Sequence, residues 1–134
     1  MADMMQATQD AVFAALDAAH KAVNPSLATV RQHVPENTLP PLVIVGDMDA
    51  ENVGGKGERT DKIVIDVVSI YRGTARRGLL AIMAINRDAL EDQEISAPGA
   101  AFSTPRFLSA NTALGEDGAT YAGVQQFEIY AEPA

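Results

Sequence analysis

The chain has 134 residues, enough for one domain with a single core; nearly half are apolar, yet there is no Trp. Cysteine is absent, which excludes disulfides, thiolate metal sites and a cysteine nucleophile. The formal net charge of -8 argues against a general nucleic-acid binder, which carries a basic footprint.

With so few aromatic residues, Ala, Val, Ile and Leu must fill the interior, with Met as gap filler. The first residues, MADMMQATQD, lack the basic start and apolar run of a signal peptide. No apolar run is long enough to cross a bilayer. A soluble protein folding in a reducing cytoplasm is expected.

Residues 4–23 read as a helix, because Val12, Phe13, Leu16, Ala19 and Val23 recur at helical spacing. Asn24-Pro25 stops it, since the residue before proline disfavours the helical region. Residues 28–33 form a short candidate strand, and residues 35–38 a turn. Pro40-Pro41 stiffens the entry to a continuous apolar run, residues 42–45, expected to be a strand covered on both faces.

Residues 47–59 read as a loop, with mobility expected over about 48–59: Gly54, Gly55 and Gly57 loosen it and its acids solvate it. Residues 63–71 form the longest strand. Ile63, Ile65 and Val67 point one way; Val64, Val68 and Ile70 point the other, broken only by Asp66. A strand apolar on both faces lies mid-sheet, or packs helices on one face and a neighbouring subunit on the other.

A second helix is expected from Gly73-Thr74, with Thr74 as N-cap. Leu79, Ile82, Met83, Asn86 and Leu90 mark its stripe, widened by Leu80 and Ile85. Ala97-Pro98-Gly99 is a turn, and residues 102–112 an irregular strand whose Pro105 places it at an edge or bulge. Residues 115–118, Gly-Glu-Asp-Gly, form a hairpin turn. Residues 119–131 close the domain as a strand with Tyr121, Gly123, Gln125, Phe127 and Ile129 on one face. The expected fold is one α+β domain over residues 1–134, with a mainly antiparallel sheet and both helices on one face.

Chemistry is sparse. His20 and His33 are the two histidines, without the partner acid or second ligand that catalysis or a metal needs; they read as one boundary and one surface residue. Gly54-Gly55-Lys56-Gly57-Glu58 lacks the Gly-Lys-Ser/Thr order of a phosphate loop and reads as a linker. Asp47, Asp49, Glu51 and Glu58 share the spacing of calcium-loop ligands, but Asn52 replaces the required glycine and the flanks are strands. A solvated acidic loop is the better account. No catalytic residue, cofactor site or metal site is assigned. Arg72, Arg76 and Arg77 cluster where the long strand becomes helix. Arginine there opposes the helix dipole by ~0.3–1 kcal/mol each. They either face water and local acids or meet carboxylates on another subunit.

Three stretches carry a family resemblance: HVPENTLPPLVIVGD, IDVVSIYRGTARRG and DGATYAGVQQFEIYAE. In their order and wording they resemble the tail-terminator, or tail-completion, proteins of long-tailed bacteriophages and gene transfer agents. Val34, Pro35 and Pro41 fit the first motif; Tyr71, Arg72 and Gly73 the second; Asp117, Gly118 and residues 127–130 the third. The resemblance implies a structural virion protein and not an enzyme. It implies a ring, usually hexameric, on the head-proximal end of the tail tube, which stops tube polymerisation and offers a docking face to head-completion or neck proteins. The implied partners are copies of the chain, the tail tube protein and a neck protein. DNA passes through the lumen without specific binding, and no membrane is involved. Arg72, Arg76, Arg77, Asp47, Asp49, Glu51, Lys56 and Glu58 become candidate subunit or tube contacts. A head–tail joining adaptor of the neck is the alternative within this class. A small α+β ligand-binding domain or enzyme is the alternative outside it.

Overall fold

The computed structural model describes residues 3–23, 27–32, 39–55 and 57–134. In chain order they form α1 (Met4–Ala22), β1 (Thr29–Arg31), β2 (Leu42–Asn52), β3 (Asp61–Arg72), α2 (Arg77–Leu90), β4 (Ala100–Phe102), β5 (Arg106–Leu114) and β6 (Thr120–Pro133). The six-stranded sheet runs β1-β2-β3-β6-β4, with β5 also paired to β6. β1 and β2 are parallel, and the remaining pairs are antiparallel. This is the expected α+β architecture.

Both helices cover the same sheet face. Val12 and Leu16 of α1 and Ile82 and Leu90 of α2 join Ile65, Val67, Phe127 and Ile129 in one buried cluster. Each such side chain, taken from water, contributes about 1.5–3 kcal/mol before entropy is counted. The expected inward faces of the two long strands are found: Ile63, Ile65 and Val67 on β3, and Tyr121, Gln125, Phe127 and Ile129 on β6, are all buried. The stripe of α2 is also as read, with Leu79, Ile82, Met83, Asn86 and Leu90 buried. Asp3 caps α1 by accepting from the Met5 amide at 2.9 Å.

Several expectations need correction. The loop expected from Asp47 is shorter, because β2 continues to Asn52 and pairs with β3. Register explains why this was hidden. Gly46 and Asp47 fall together opposite Asp66, a bulge that breaks the apolar alternation while the ladder resumes at Met48. The second helix starts at Arg77, and Thr74 is not its cap: Arg76 holds that position without a side-chain bond. The Tyr71 ring occupies the junction, where a Cβ on Gly73 or Gly78 would overlap it. Leu80 does not widen the buried stripe; it is 50% exposed. On α1 the buried line is Met4, Ala7, Thr8, Ala11, Val12, Leu16 and His20, flanked by half-buried Phe13 and Ala19. The stop at Asn24-Pro25, the turn at 35–38, and His33 and Val34 lie outside the described residues.

His20 is not at a boundary but in the interior, 1% exposed. Its Nε2–H donates to Asn86 Oδ1 at 2.7 Å. The Asn86 amide donates to Ser69 Oγ at 2.8 Å and to Gln125 Oε1 at 3.1 Å. Gln125 in turn donates to the Met83 carbonyl at 2.9 Å. One asparagine therefore ties α1, α2, β3 and β6 together inside the core. Most buried polar groups are bonded in this way, while the Nδ1 of His20 is buried without a partner among the described residues.

Removing the node orphans buried partners at about 1–3 kcal/mol each. Asn86→Ala is expected to lower stability by on the order of 3 kcal/mol in urea unfolding. Asp88→Ala, on the exposed face of the same helix, should stay within about 0.5 kcal/mol.

Candidate subunit interface

The sheet face turned away from the helices is graded along the strands. Val68 pairs with Ile44 on one side and Val124 on the other, and Ile70 pairs with Ala122. These five side chains are half-buried and make an apolar upper half. Below them Asp66 accepts from the Gln126 amide at 3.1 Å. Next, Val64 lies between Asp49 and Glu128, and Lys62 between Glu51 and Tyr130. Asp49, Ala50, Glu51, Lys62 and Val64 line a shallow cleft of about 210 Å3. Lys62 meets Glu51 at 4.0 Å, so the lower half remains acidic.

Arg72, Arg76 and Arg77 sit at the opposite end of β3. Arg72 reaches Asp117 at 3.9 Å. Arg76 lies over the Tyr121 ring, 5.7 Å from its centroid. Arg77 opens α2, exposed and without an ion pair among the described residues. At ~3.3 Å per residue, Arg72 stands roughly 20 Å along β3 from the level of Asp47, opposite Asp66, and roughly 33 Å from that of Glu51, opposite Lys62, so the arginines and the β2 acids cannot neutralise one another within one subunit.

Of the expected site residues, the structure brings Asp47, Asp49 and Glu51 together along β2 and the three arginines together at the other end. Glu58 lies beyond β2 in the β2–β3 connection, where its amide donates to the Gly55 carbonyl at 2.9 Å. Lys56 lies outside the described residues. Along an extended strand, Asp47, Asp49 and Glu51 cannot wrap an ion as a calcium loop does, and no group of three ligating side chains is present among the described residues. No described helix is long and apolar enough to cross a membrane.

Asp117 was missed as a structural acid. Its carboxylate accepts from the Thr120 hydroxyl at 2.6 Å and from the amides of Thr120 at 2.8 Å and Ala119 at 2.9 Å. The Asp-x-x-Thr spacing beside Gly118, whose φ is 70°, is a side-chain-capped turn and could have signalled it. The Thr120 hydroxyl, then the two amides, draw its carboxyl down to about 2, from the ordinary aspartate value of 3.8.

Taken together, these features define a small two-layer α+β protein whose distinctive parts are surfaces. The polar cluster of His20, Asn86, Ser69 and Gln125 is sealed inside. The chain belongs to the tail completion protein gp17 family, whose sequence model matches residues 10–132. It is therefore a structural subunit of a phage-type tail and a virion component. Among solved structures, the fold matches a chain in the virion of a native gene transfer agent (GTA) particle at a TM-score of 0.79 and 19% identity, covering 98% of this chain and 99% of that one. No curated protein matches the sequence.

The Asp117 turn yields a titration test. A depressed carboxyl stabilises its turn above the unfolded value of 3.8, and the contribution is lost as pH falls through about 2. In an NMR titration Asp117 should protonate with its midpoint near 2, below the ordinary aspartate value of 3.8. Exchange at the Ala119 amide should quicken over the same range. Thr120→Val should raise the midpoint, because it removes the largest cause. A midpoint unchanged in that variant would show that the hydroxyl does not hold the charge.

Proposed function

We propose that the protein is the ring subunit that caps the head-proximal end of the tail tube, halts tube polymerisation and presents the docking face for the neck or head. The observation that carries this reading is the family match across residues 10–132, joined to a sheet face left half-buried and graded from apolar to acidic. The subunit acts by binding and not by catalysis. Its one described histidine, His20, faces Asn86 inside the core. A hexameric ring suits a heterologous contact, one patch meeting a different patch next door, because such contacts close when the rotation does. The tail tube protein meets one rim and the neck protein the other. The excess of 18 acids over 10 bases keeps DNA from adhering to the lumen as it passes.

Within this reading the arginine end, Arg72, Arg76 and Arg77, meets carboxylates of a neighbouring subunit or the tube. Double reversal, Arg76→Glu with Arg77→Glu, should leave the free subunit about as stable as before, since both side chains are exposed, the Arg76–Tyr121 contact is worth only about 0.5–1 kcal/mol, and each arginine opposes the helix dipole. Electron microscopy should then show tails of irregular length, or tails unattached to heads. Normal, DNA-transferring particles would reduce the cluster to a solvated face. Labelled wild-type subunits should appear as a stoichiometric ring at the tail's head-proximal end, and a label elsewhere in the neck would favour the adaptor.

The β2–β3 connection, residues 53–55 and 57–60, with its glycines and one exposed acid, Glu58, becomes ordered on assembly in this reading. Hydrogen exchange at Gly54, Gly55 and Glu58 should be fast in the free subunit and slowed in particles. Equal rates in both states would place the connection outside every contact.

A further inference from the structure

We propose that the outer edge of β5 pairs with the free end of β2 of a second copy, so that the sheets of neighbouring subunits continue into one another; the inference rests on the ring reading above.

β4 and β5 are one edge strand interrupted around Pro105. β4 pairs with residues 131–133 of β6, and β5 with residues 121–128, both from the same side. Beyond β5, among the described residues, no further strand pairs. Proteins protect such edges with lysine, proline, inward charges or bulges. Here the protection is confined to one end, at Arg106 and the irregularity between Phe107 and Ser109. Residues 109–114, Ser-Ala-Asn-Thr-Ala-Leu, carry no charge and no proline, and all but half-buried Thr112 are exposed. Their small side chains leave the backbone accessible to an added strand.

The far side of the sheet offers a matching segment. β1 covers only Leu42, Val43 and Ile44 of β2. Among the described residues, nothing pairs with residues 45–52 on the side away from β3. That stretch carries Asp47, Asp49 and Glu51, so two β2 edges laid together would oppose like charges. β5 carries no acid, and its single charge is Arg106. Charge thus favours β2 against β5 over β2 against itself. Strand direction agrees. β2 opposes β3, β3 opposes β6 and β6 opposes β5, so β5 runs antiparallel to β2. A neighbour rotated about an axis inclined to the strands presents its β2 antiparallel to β5, and the inclination supplies the shift of about four residues that brings residues 45–52 beside residues 109–114. This is a heterologous contact that a ring can close.

The absence of native cysteine makes the test clean. Asp49→Cys in β2 and Asn111→Cys in β5 change exposed residues. A bifunctional thiol reagent reaching ~7 Å allows a register uncertainty of about two residues. It cannot bridge the two sites within one subunit, which are three strand spacings, roughly 14 Å, apart. Assembled particles carrying both substitutions should give a ladder of covalent oligomers on a denaturing gel. Particles carrying either substitution alone should give monomers. A cross-linked dimer from Asn111→Cys alone would mean that two β5 edges pair, and would overturn the proposal. So would the lack of a ladder from the double variant in particles whose ring is visible. Wild-type particles with no ring would overturn the ring reading itself, and the edge pairing with it.

Discussion

The structure depends on the antiparallel ladder between β3 and β6, in which Asp61 to Arg72 pair without a break against Ala131 to Thr120. Twelve consecutive pairs fix which side chains share a face. One face then carries Ile63, Ile65, Val67, Phe127 and Ile129 beneath the helices. The other carries Val64, Asp66, Val68, Ile70, Val124 and Glu128. A slip of one residue would exchange the two sets and put carboxylates under α1 and α2. The Asn86 node guards against this, since Asn86 meets its partners only when Ser69 and Gln125 both point inward. Polar specificity therefore supplements an apolar core that alone would tolerate other packings.

The elements with clean periodicity were legible in the sequence. Both faces of β3, the inward face of β6 and the stripe of α2 could be read from alternation or helical spacing. Pro105 correctly placed its strand at an edge. What failed did so for local reasons. Gly46-Asp47 form a bulge, and a bulge erases the alternation by which a strand is recognised, so the outer half of β2 looked like loop. The Tyr71 ring fills the space beside Gly73 and Gly78, and nothing in the run Gly73-Thr74 announces that the helix starts only at Arg77. His20 looked like a boundary residue because its partner, Asn86, is 66 positions away.

The candidate interface was legible in composition but not in arrangement. The acids from Asp47 to Glu51 and the arginines from Arg72 to Arg77 stand out in the sequence. Their separation at opposite ends of one strand, and the apolar half-face between, follow only from the β2–β3 and β3–β6 registers. Asp66 and Glu128 join the acids through that register. Asp117 belongs to neither group, because its bonds to Thr120 and Ala119 make it part of a turn.

The same geometry separates folding from assembly. Burial, the long ladder and the Asn86 node lie on the helix side of the sheet, while the unpaired charges and free edges lie on the other side and at its ends. A subunit of this kind can complete its core before it meets a partner. Its excess acid keeps identical acidic edges apart, so random edge-to-edge association is opposed where the exposed backbone would otherwise invite it. In the proposed ring, association then pairs unlike surfaces: a neutral strand against the acidic one, or arginines against carboxylates. Contacts between unlike patches propagate in one direction and stop only when the rotation closes, and that is the geometric condition a ring imposes on its subunits.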